Sequence, residues 1–120
     1  MAFALAVIRF CQTLPREHEC GVIKYQLLKS GTSVGANYRS SCRGRTPKEK
    51  RSKLGIALEE ADESDYWLTL LEFIEMGNKD QRTSLLKECG EFIKIFSKSI
   101  QTHKGTGRHD PDGPSRPDAQ

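Results

Sequence analysis

The chain has 120 residues, 36% of them hydrophobic and 29% charged, which suits one compact core and leaves little for a second domain. Its formal net charge of +3 is too small to argue by itself for a polyanionic partner, so the placement of charge has to decide that question. No apolar run approaches the roughly 18 to 20 residues that a membrane span needs. The four cysteines, at 11, 20, 42 and 89, include no Cys-x-x-Cys pair, which speaks against a disulfide framework and a zinc site. They are expected to be buried thiols in a reducing compartment.

Phe3, Val7, Phe10 and Leu14 recur at spacings of four, three and four, which places them on one stripe of a first helix that Pro15 ends. The segment is apolar, yet it has no basic leading region and is interrupted by Arg9. A secretory signal is therefore not expected, and a cytoplasmic protein is. A second helix is expected from about Glu19 to Arg43, with Ile23, Leu27, Val34 and Tyr38 along one side, broken by Gly44. Thr46-Pro47-Lys48-Glu49 then provides an N-cap, a proline at the first helical position and an acid at the third.

The third helix is expected from Pro47 to about Met76, with Leu54, Leu58, Ala61, Leu68 and Leu71 in register and Gly77-Asn78 as its stop. The fourth runs from about Asp80 to His103 through Leu85, Cys89, Phe92, Phe96 and Ile100. From Lys104 to Gln120 the chain holds three of its five prolines and three of its ten glycines, with no aliphatic side chain larger than Ala119. Residues 104–120 are expected to form a disordered tail after a 1–103 domain, because they cannot bury enough apolar surface to offset ordering entropy. Four amphipathic helices joined by short turns predict an all-α, antiparallel up-down-up-down four-helix bundle.

Within the second helix, six of the eight residues from Ser30 to Asn37 are Ser, Gly, Ala or Thr. Polar flanks argue against a membrane Gly-x-x-x-Gly contact, and no lysine follows Gly35 where a phosphate loop needs one. Each glycine costs about 1 kcal/mol against alanine in a helix, so Gly31, Val34 and Gly35 are expected at a close helix or subunit contact.

Charge is segregated. Arg39 to Lys53 contains seven basic residues against the single acid Glu49, while Glu59 to Glu75 contains seven acids and no base. Arg39, Arg43, Arg45, Lys48, Lys50, Arg51 and Lys53, with Tyr38 beside them, are candidates to hold phosphates and stack a base. The plain alternative is a solvated face. Lys48 to Lys53 lie in the first turns of a helix, where cations oppose the macrodipole, a placement that favours function over stability. Asp62 and Asp65 flank the apolar stripe, so at least one is expected to pair with a base on a neighbouring helix or subunit; Trp67 joins them as a contact residue.

No metal site is expected, since no Glu lies three residues before His18, His103 or His109. Two of these histidines fall at the end of the last helix or in the tail and the third in a turn, places that seldom hold a catalytic base. The sequence therefore predicts no enzyme, no catalytic residues and no cofactor.

Two stretches carry a family likeness. Leu27-Leu28-Lys29-Ser30-Gly31-Thr32-Ser33-Val34-Gly35-Ala36-Asn37-Tyr38-Arg39 is the first. Lys53-Leu54-Gly55-Ile56-Ala57-Leu58-Glu59-Glu60-Ala61-Asp62-Glu63-Ser64-Asp65-Tyr66-Trp67-Leu68 is the second. Together they make the chain, over about residues 1 to 103, resemble the four helix bundle protein family, also called the 23S rRNA intervening-sequence protein family. That family includes the accessory variability determinant protein of diversity-generating retroelements. The resemblance implies a four-helix bundle assembled as a barrel-like homopentamer with a basic surface that, in the retroelement branch, engages nucleic acid and a reverse transcriptase.

The chain departs from the family pattern where many members have Asn-Ile-Ala-Glu-Gly and it has Asn37-Tyr38-Arg39-Ser40-Ser41. It also starts close to Phe3, so a shorter first helix is expected. The leading expectation is a homo-oligomeric, pentameric scaffold that binds structured RNA or DNA. Its rival is an assembly module in which the basic run of one subunit meets the acidic run of the next, without nucleic acid.

Overall fold

A computed structural model describes the backbone of residues 2–108 and the side chains of 2–102. Four helices follow one another: α1 (Ala2–Cys11), α2 (His18–Cys42), α3 (Pro47–Phe73) and α4 (Lys79–Arg108). Among the described residues there is no strand. α1 packs on α2 and α4, and α3 packs on the same two helices, while the backbones of the diagonal pairs do not come close. This is the up-down-up-down arrangement that the four apolar stripes predict.

The core is the sum of those stripes. Phe3, Val7 and Phe10 from α1, Leu27 and Val34 from α2, Leu54, Ala57, Ala61, Leu68 and Leu71 from α3, and Leu85, Cys89 and Phe96 from α4 are all buried. Small residues set the approach of the helices. A Cβ on Gly31 would lie 2.9 Å from both methyl carbons of Val7, so glycine is what lets α1 lie against α2. Ser30 and Ser64 are buried between α2 and α3, Ser64 Oγ donating to Ser30 Oγ at 2.9 Å and Ser30 Oγ donating on to Leu27 O at 3.4 Å, so both hydroxyls have partners where water is excluded.

The helix ends differ from expectation for identifiable reasons. α1 stops at Cys11, ahead of Leu14, because the chain tightens into three-residue hydrogen bonds, Thr13 N–H to Phe10 O at 2.8 Å and Leu14 N–H to Cys11 O at 3.2 Å. Leu14 remains buried from the turn. α3 ends at Phe73, short of Met76, in a Schellman turn whose left-handed residue is Glu75, φ 55°. There the Met76 N–H reaches Leu71 O at 3.0 Å and the Glu75 N–H reaches Glu72 O at 3.1 Å. The stop thus comes before Gly77-Asn78. Asn78 instead caps α4, its Oδ1 accepting from Gln81 N–H at 2.9 Å. α4 continues to Arg108, past the expected boundary at 103. The rest of the expected tail, from residue 109, lies outside the described residues.

Candidate nucleic-acid interface

The basic run of the sequence becomes the α2–α3 turn. Thr46 caps α3, its side-chain oxygen accepting from Glu49 N–H at 3.0 Å, and Glu49 Oε1 accepts in return from Arg45 N–H at 2.7 Å. The one acid of the run is thereby tied into the cap. Gly44 sits where a Cβ would come within 3.0 Å of the Lys50 nitrogen, so the chain hugs the first turn of α3 as it reverses. The result is an open cavity of about 450 Å³ lined by Ser40, Arg43 and Gly44 from one side and Lys48, Glu49, Ser52 and Lys53 from the other.

Of the basic residues named from sequence, the cavity gathers Arg43, Lys48 and Lys53, all three exposed. Arg39 is exposed one turn earlier on α2. Arg45 is exposed in the turn itself. Lys50 folds back, its Nζ donating to Cys42 O at 3.4 Å, and so helps close the end of α2. Arg51 is half-buried on α3. Arg39 and Arg43 lie at the C-terminal end of α2, where a cation is stabilising, whereas Lys48, Lys50 and Arg51 lie at the N-terminal end of α3, where it is not.

Tyr38 is placed elsewhere. Its ring stacks on Phe96 of α4, centroids 5.6 Å apart and planes 21° from parallel, over a groove of about 380 Å³ that Phe3, Val34, Gly35 and Phe92 also line. The Cys42 side chain, hydrogen-bonded to Tyr38, pushes its phenol above the usual range. Cys42 is exposed, which corrects the expectation of four buried thiols; Cys11, Cys20 and Cys89 are buried. Burial raises Cys11 to about 11 and Cys89 to about 12.

The expected contact residues are spread over three places. Gly31 and Val34 are buried and Gly35 is half-buried at the groove. Asp62 is exposed. Asp65 accepts from Thr69 Oγ1 at 3.1 Å and lies close enough to Cys89 to raise that thiol. Within the described chain neither carboxylate pairs with a base. An ion pair joins buried Arg82 to exposed Glu72, Nε to Oε1 at 2.8 Å, and Arg82 Nη1 also donates to Met76 O at 2.8 Å. Trp67 is half-buried, donating to Glu63 Oε2 at 3.3 Å and meeting Tyr66 edge-on at 4.9 Å.

Sequence reasoning missed a second apolar stripe on α3. Tyr66, Phe73 and Ile74 are exposed and Leu70 is half-buried, on the side away from Leu54, Ala57, Ala61, Leu68 and Leu71. The spacing of 66, 70, 73 and 74 is the signal that could have found it.

Among the described residues no three metal-binding side chains come together, and no helix is long and apolar enough to cross a membrane. The model of the 23S rRNA-intervening sequence protein family matches residues 1–98. A solved structure, that of a protein of unknown function from the S23 ribosomal protein family of Bacteroides thetaiotaomicron VPI-5482, is 34% identical with a TM-score of 0.74. The match covers 82% of this chain and 92% of that one. Among curated proteins none matches.

Proposed function

The chain belongs to the 23S rRNA-intervening sequence protein family, and from that premise we propose that it is a non-enzymatic helical scaffold, assembled with copies of itself as a pentamer, whose α2–α3 end binds structured RNA or DNA. The observation that carries this reading is the cavity between Arg43, Lys48 and Lys53. Three exposed cations converge there, and the neighbouring acid, Glu49, is held by Arg45 N–H. Such a site attracts phosphate with an affinity that falls steeply with salt. Both family descriptions refer by name to ribosomal RNA or the ribosome, so a structured RNA is the first ligand to test.

Self-assembly draws support from the outward face of α3. Tyr66, Phe73 and Ile74 are 57%, 80% and 45% exposed, and aromatic side chains clustered on one helix face are characteristic of protein contacts. A cytoplasmic setting fits the three buried thiols. A reverse transcriptase as protein partner rests on the family resemblance alone.

The rival reading has its own support: burial raises Glu60 above the usual carboxylate range, and its α3 neighbours Glu63 and Glu59 push it the same way against the opposing charge of Lys29. A basic cavity on a second subunit would relieve that repulsion. Reversing charge with Arg43→Glu and Lys53→Glu separates the two. The scaffold reading expects an oligomer of unchanged mass by light scattering and loss of RNA binding; the rival expects the oligomer to fall apart.

A further inference from the structure

From the separation of cations and aromatic rings on this molecule, we infer that the α2–α3 end recognises double-stranded nucleic acid through its backbone and is a poor site for single strands. The inference rests on the function proposed above and names the ligand class of the same site.

Single-strand binders combine a basic track with aromatic side chains on which unpaired bases stack. The lining of the α2–α3 cavity has only the first of these. From Arg39 to Asp65 the chain contains no aromatic residue, so the turn, the last turn of α2 and two thirds of α3 offer no ring. Tyr38 comes nearest in sequence. It stands two residues from Ser40, roughly 200° around the helix, and its ring is stacked on Phe96 over the α4 groove. Phe96 is buried and Phe92 stacks on it at 5.7 Å, so the Tyr38 ring, though 46% exposed, is braced on the core over the α4 groove and is not among the residues that line the cavity.

What the cavity does offer is suited to a sugar–phosphate backbone. Arg43, Lys48 and Lys53 supply positive charge in excess of the single lining carboxylate, Glu49, and Ser40 and Ser52 supply hydroxyls that both donate and accept. A-form duplexes are recognised by phosphate and 2′-hydroxyl contacts, with bases paired and out of reach. A ligand that keeps its bases stacked on one another loses nothing at a site that has no ring to give them.

The test is fluorescence anisotropy at a fixed salt concentration with three labelled probes of equal length: an RNA duplex, a DNA duplex and an oligo-uridine that forms no pairs. Both duplexes should bind at least about tenfold tighter than the single strand after normalising to phosphate count, because stacking is absent. The Tyr38→Leu variant should bind the single strand no more weakly than the unmodified chain. Equal or tighter binding of oligo-uridine, or its loss in Tyr38→Leu, overturns the inference while leaving nucleic-acid binding in place. Absence of binding to all three probes overturns the proposed function, and this inference with it.

Discussion

The two ends of the bundle are built on different terms. At the α3–α4 turn, Arg82 is buried and bonds Glu72, Met76 O and Gly77 O. Thr13 Oγ1 donates to Phe10 O and accepts from Asn78 N–H, which ties the end of α1 to the start of α4. At the α2–α3 turn the hydrogen bonds between Thr46, Glu49 and Arg45 and from Lys50 to Cys42 are local, and Arg39, Arg43, Arg45, Lys48 and Lys53 are exposed. One end fixes the fold. The other is left chemically open, and exposed cations at the start of α3, where they oppose the helix dipole, are what a surface reserved for a ligand looks like.

Changes at the braced end should therefore be costly. Arg82→Ala strands the carbonyls of Met76 and Gly77 while the exposed Glu72 carboxylate regains water, and urea denaturation should show a loss of about 2 kcal/mol. Gly77 has φ 83°, and a Cβ there would lie 2.7 Å from the Phe10 ring. Gly77→Ala should cost about 2 kcal/mol from backbone strain and overpacking together. Glu75→Gly works in the opposite direction: it relieves a left-handed residue with a side chain and should stabilise by about 1 kcal/mol. At the open end, Arg43→Glu with Lys53→Glu should move stability by no more than about 0.5 kcal/mol. A loss there as large as that of Arg82→Ala would mean that both ends brace the fold.

Thiol chemistry gives the smallest and cleanest contrast. Raised values of about 11 for Cys11 and about 12 for Cys89 leave almost no thiolate at pH 8. Iodoacetamide on the native protein should thus label Cys42 first, and mass spectrometry of the digest would locate it. For Glu60 the sign of the pH effect is fixed by its raised value in the folded state. The folded chain holds that proton more tightly, so this group contributes a penalty that grows as pH rises above the ordinary carboxylate value and vanishes below it. Glu60→Gln should raise the melting temperature slightly at neutral pH and leave it unchanged in acid.

Much of this was legible in the residues. The spacing of Phe3, Val7 and Phe10 gives the buried face of α1, and Thr46-Pro47-Lys48-Glu49 marks the start of α3, because periodicity and capping are local physics. The end of α3 was not legible, since Glu75 takes the left-handed position with no glycine to announce it. Arg82 was unreadable for a similar reason: a buried arginine is recognisable only once the carbonyls of Met76 and Gly77 are seen to need donors. The basic run was visible as charge, but only the fold sorts it. The turn brings Arg43, Lys48 and Lys53 to one cavity, draws Lys50 back to the end of α2 and leaves Tyr38 on the α4 side.

The reading of the open end stands or falls on a salt titration of the unmodified chain with a structured RNA. Phosphate contact by the Arg43, Lys48 and Lys53 cavity predicts log affinity falling linearly with log salt, by about 0.7 to 0.9 for each phosphate neutralised. An affinity that stays flat between low and moderate salt would contradict it.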